Sequence, residues 1–63
     1  MKDFFSVLQL LKRFGTFIYT GDRRTDIELM IAELKDLYDN GLIMKEDYLT
    51  GMVILKKELS EVQ

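Results

Sequence analysis

Four cations bracket Phe17 and Tyr19 between Lys12 and Arg24. Lys12, Arg13, Arg23 and Arg24 face one acid there, Asp22, so this stretch carries +3 while the 63-residue chain carries −2. Cations hold phosphates and aromatic faces stack on bases, which are the two ingredients of single-strand binding. Phe17 and Tyr19 are two residues apart, so in an extended backbone they project the same way. Arg23 and Arg24 fall at the expected start of a helix, where each cation costs roughly 0.3–1 kcal/mol against the helix dipole. Pairing Arg23 with Asp26 and Arg24 with Glu28 returns only about 0.2–0.5 kcal/mol each, in the weaker cation-first order. A bound anion offsets more. Unpaired helix N–H groups, Gly21, the Thr20 hydroxyl and the two guanidinium groups compose a phosphate seat.

A plain structural account competes at each position. Lys12 and Arg13 end a helix, and Lys56 and Lys57 lie late in another, where cations suit the dipole. A short domain needs its large apolar side chains, which argues for burying Phe17. The Tyr19 hydroxyl favours a wet edge. Other chemistry has little support. The chain has no Cys and no His, which removes thiol and imidazole catalysis, disulfides and the usual zinc ligands. Glu46 and Asp47 are neighbours in sequence and read as solvated helix-start charges. Gly15 and Gly21 have the P-loop interval, but Asp22-Arg23 replaces the required Lys-Ser/Thr. No enzyme activity, cofactor, metal or small-molecule substrate is expected.

These side chains must be placed by few elements. The length allows one domain, residues 1–63, and the 48% apolar content argues against disorder. Phe4, Val7, Leu8, Leu11 and Phe14 make one helical face. Asp3 can cap it and Gly15 can end it, which gives a helix at 3–14. Residues 15–21 read as an ordered connection. Ile27, Met30, Ile31, Leu34, Leu37 and Tyr38 form a broad stripe over 22–40. Its start is either Asp22 or a Thr25–Glu28 capping box, and Asn40-Gly41 is its stop. Tyr48, Leu49, Met52, Leu55 and Leu59 mark a third helix at 44–60. Gly51 lies inside it, at a cost of about 1 kcal/mol relative to Ala, and reads as a site of close packing.

Short links favour antiparallel neighbours, so the expected fold is an all-α, up-down-up three-helix bundle. That topology gathers Lys12, Arg13, Arg23, Arg24, Lys56 and Lys57 at one pole. No apolar run exceeds four residues, as at Met52–Leu55, so no transmembrane helix is expected. The N-terminus lacks the apolar core of a signal peptide, and a cytoplasmic protein is the expectation.

The strings Leu10-Leu11-Lys12, Gly15-Thr16-Phe17-Ile18-Tyr19-Thr20-Gly21, Asp26-Ile27-Glu28-Leu29-Met30-Ile31, Tyr48-Leu49 and Ile54-Leu55-Lys56 resemble the YqgQ-like family of short bacterial cytosolic proteins. The resemblance covers about residues 4–59. It implies a three-helix bundle with single-stranded nucleic acid binding, with Lys12, Arg23 and Arg24 as the basic positions. Gly51 departs from the better helix former that the resemblance leads one to expect. Residues 31–59 are also similar to the helical hairpin of short oligomerisation domains.

Two functions follow as expectations. The first is weak binding of single-stranded DNA or RNA, with Lys12, Arg13, Arg23 and Arg24 on phosphate, Tyr19 and Phe17 on bases, and Thr20 and Gly21 in the anion seat. The rival is a protein-interaction or self-association module, a homo-oligomer using Leu29, Leu42, Ile43 or Ile54 on helices 2 and 3.

Overall fold

The computed structural model describes residues 1–62 and contains three helices, α1 (Phe4–Arg13), α2 (Arg23–Asp39) and α3 (Lys45–Ser60). Their limits follow from capping chemistry. Asp3 starts α1, its carboxylate accepting from the Ser6 amide and hydroxyl, both at 2.9 Å. Asp22 starts α2 in the same way, accepting from the Thr25 amide at 2.9 Å and from the Thr25 hydroxyl. Thr25 is therefore the capped residue and not the cap. Both α1 and α2 end in the same turn. Gly15 (φ 79°) and Gly41 (φ 71°) take left-handed backbone, and Thr16 and Leu42 donate back to the carbonyls of Leu11 and Leu37, at 3.0 and 2.9 Å. That double closure satisfies carbonyls the helix leaves open.

The core holds Val7, Leu10 and Leu11 of α1, Ile27, Met30, Leu34 and Leu37 of α2, and Leu55 of α3. α3 packs chiefly on α2 and less extensively on α1. The α2–α3 hairpin is tight. Tyr38 and Tyr48 stack with ring centroids 4.4 Å apart and planes 7° from parallel. Gly51 is buried, and a Cβ there would lie 2.7 Å from Leu34 Cδ2 and 3.2 Å from Met1 Cε. The glycine that departs from good helix chemistry thus lets α3 approach the fully buried Leu34. Leu49 and Phe14, read from the sequence as core-facing, are instead 50% and 40% exposed.

The fold is the expected small all-α three-helix bundle, and the contacts at its two poles set the course of the helices. The Arg23 guanidinium sits 4.4 Å above the Phe4 ring and 2.8 Å from Glu58. The starts of α1 and α2 therefore meet the end of α3. At the other pole Leu10, Arg13 and Phe14 share a groove with Gly41–Met44 and Asp47. So α1 and α2 point the same way and α3 returns against both. The link makes this order feasible. Nine residues, Phe14–Asp22, lie between the two helices. At about 3.3 Å per extended residue they exceed the roughly 15 Å length of a ten-residue helix.

Candidate nucleic-acid interface

The returning link doubles back along α1, and its residues alternate. Thr16, Ile18 and Thr20 hold it down. The Thr16 hydroxyl donates to Glu33 Oε1 at 3.2 Å, and Ile18 packs against the core. The Thr20 amide and hydroxyl both donate to one oxygen of Asp26 at 2.7 Å. Asp26 is the buried carboxylate of the domain, 8% exposed; its two Thr20 donors supply the hydrogen bonds that burial demands. Between these anchors Phe17 and Tyr19 turn outward, 74% and 87% exposed. Burial of Phe17 in the core is thus not observed. Its neighbours fix the pleat, and the pleat sends both rings to the same side.

The six cations expected at one pole are spread out instead. Lys12 lines an apolar groove with Phe17 and Tyr19, floored by Leu8, Leu11 and Met30. Arg23 borders the adjoining groove with Tyr19, Gly21 and Asp26. Arg13 lies in the separate groove beside Phe14, Leu42 and Asp47. The structure therefore unites Lys12, Phe17, Tyr19 and Arg23 along one seam and sets Arg13 apart from it. Arg24 is exposed in the first turn of α2 and has no ion pair among the described residues.

The expected local pairs do not form among the described residues. Arg23 reaches Glu58, thirty-five positions away, and Asp26 is taken by Thr20. Glu58 carries no short-range sequence signal, and neither does the Phe4 ring beneath the guanidinium. The Thr20–Gly21 seat also differs from expectation. The Thr20 donors point at Asp26, and the Thr25 amide points at Asp22. Carboxylates of the chain itself occupy the helix N-terminus, for the same dipolar reason that favours a phosphate there. The Thr25 hydroxyl, then its amide, hold the Asp22 carboxyl below its ordinary value of 3.8, with a smaller contribution from Arg24. The Ser6 amide and hydroxyl lower Asp3 likewise.

The model of the YqgQ-like family matches residues 1–61. The chain belongs to the YqgQ-like family. A relative from Bacillus subtilis (strain 168), the uncharacterized protein YqgQ, is 46% identical over 63 residues, covering all of this chain and 89% of the relative. For this YqgQ-like chain, no group of His, Cys, Asp and Glu among the described residues is arranged to hold a metal ion. No helix among them is long and apolar enough to cross a membrane.

Proposed function

We propose that this YqgQ-like protein binds single-stranded nucleic acid along the returning link, inside the cell and without catalysing a reaction on it. The observation that carries this reading is the pair Phe17 and Tyr19, both presented outward from an extended segment. Two adjacent rings left in water lose burial that a small domain needs. A strand that stacks bases on them recovers it. Lys12 borders the groove of the pair and Arg23 the groove adjoining it at Tyr19, in line for the phosphates of a short strand, and the exposed Arg24 adds charge in the same first turn of α2. Arg23 engages a phosphate only by giving up Glu58, an exchange of one exposed anion for another. Arg13, on a different groove, contributes little to this track.

Fluorescence anisotropy with short labelled oligonucleotides tests the reading. Two to three neutralised phosphates give a slope of log affinity against log salt of about −1.5 to −2. Removing a stacking ring costs about 1–3 kcal/mol per base. The Phe17→Ala/Tyr19→Ala double variant therefore binds at least tenfold more weakly, and Lys12→Ala makes the salt slope shallower. Unchanged binding by the double aromatic variant, or no binding by the parent at low salt, overturns the proposal.

A further inference from the structure

The groove beside Tyr19 holds a hydrogen-bond acceptor that the fold does not use. Asp26 is 8% exposed, and both of its donors, the Thr20 amide and hydroxyl, reach the same oxygen, Oδ1. Among the described residues no donor reaches Oδ2, and no side-chain oxygen there is both sealed from solvent and without a partner. Oδ2 therefore touches solvent. Asp26 lines the groove of about 270 Å³ that Tyr19 and Arg23 border, together with the apolar Leu8, Ile18 and Met30. A carboxylate oxygen left open in so apolar a place is costly until a donor meets it.

We propose that Asp26 Oδ2 reads the base stacked on Tyr19, and that this base is guanine. The proposal rests on the nucleic-acid reading above and names what the strand presents. The Asp26 carboxylate repels a phosphate, which goes to Arg23 at the border, but it accepts from a base edge that carries donors. Unstacked bases are read on their pairing edges, and these differ. Guanine offers a ring N–H and an amino N–H side by side. Adenine and cytosine set an acceptor nitrogen beside the amino group. Thymine and uracil flank their ring N–H with two carbonyls. Those acceptors face the carboxylate and are repelled by it. One carboxylate oxygen has lone pairs for both guanine donors, and bonds to an ionised acceptor are the stronger kind. Asp26 is thus a specificity residue, while the rings and cations supply the binding common to every base.

Anisotropy with short thymine strands that differ at one central position tests it on the full chain. That position carries guanine, hypoxanthine (guanine without its amino group), adenine, cytosine or thymine. The guanine strand binds about tenfold more tightly than the hypoxanthine strand. Asp26→Asn keeps an oxygen for the Thr20 donors and sets an amide N–H where Oδ2 stood, so the ratio of the two affinities falls to about one. Circular dichroism establishes that the variant is folded. Guanine and hypoxanthine strands bound equally by the parent overturn the proposal without any variant, and leave nucleic-acid binding itself in place. Tighter binding of the adenine or cytosine strand overturns it as well, as does a ratio that persists in folded Asp26→Asn. Failure of the parent to bind every strand removes the underlying function and this preference with it.

Discussion

The α2–α3 hairpin and the returning link use the same small set of side chains in opposite ways. In the hairpin Ile27, Met30, Leu34, Leu37 and Leu55 turn inward, while Leu29, Leu49 and Val53 stay exposed, and even a glycine is placed so that α3 can approach Leu34. In the link the inward positions are largely polar anchors, Thr16 on Glu33 and Thr20 on Asp26, and the largest apolar groups face water. One region spends its hydrophobic surface on stability. The other is held by a few hydrogen bonds and leaves that surface in water, where the proposed ligand would meet it.

The contrast can be broken in order of expected effect. Leu55→Ala empties a fully buried position and should cost about 2–5 kcal/mol. In so small a domain that removes most of the cooperative thermal transition followed by circular dichroism. Gly51→Val forces a branched side chain against Leu34 and should cost about 1–3 kcal/mol, seen as a lower urea midpoint with the slope unchanged. Asp26→Ala leaves the two Thr20 donors unpaired, at about 1–3 kcal/mol. Here hydrogen exchange sharpens the comparison, because protection should fall around residues 16–22 while the hairpin amides stay slow. Equal loss in both regions would mean that the link and the hairpin open as one unit. Arg23→Ala removes an exposed ion pair and a ring contact, and should shift stability by no more than about 1 kcal/mol.

Acid provides a graded test of the caps. Asp3 and Asp22 have carboxyls lowered below 3.8 by the hydrogen bonds of Ser6 and Thr25. A depressed folded value means that the stabilisation is complete above the ordinary value and is lost as pH falls through the folded one. Helicity by far-ultraviolet circular dichroism should therefore hold from neutral pH to about pH 4 and decline below it, and Asp22→Asn should blunt the decline.

The hairpin was largely legible in the sequence. The stripe from Ile27 to Tyr38 and the stop at Asn40-Gly41 are local patterns, and local patterns survive into the fold because each turn enforces them. The cap at Asp3 is readable for the same reason, whereas Asp22 and a Thr25–Glu28 box are equally compatible with the local pattern and the structure selects Asp22. The direction of α1 was not. A segment containing Gly15 and Gly21 fits a compact reversal or an extended return equally well, and tertiary contacts of Thr16, Ile18 and Thr20 select the return. That choice redistributed the basic residues and separated Arg13 from the aromatic pair. It also decided the exposure of Phe17, whose composition alone argues for the core. Leu49 and Val53 were obscured because α3 is apolar on more than one side, so periodicity could not say which side meets α2.

The central claim is that the ligand lies along the link. Titration of ¹⁵N-labelled protein with a short single-stranded oligonucleotide, followed by amide chemical shifts, tests it most directly. The account predicts saturable shifts concentrated on Lys12 and on residues 16–24, with Leu34, Gly51 and Leu55 unmoved. Shifts confined to the hairpin, or a spectrum indifferent to the oligonucleotide at low salt, would contradict it.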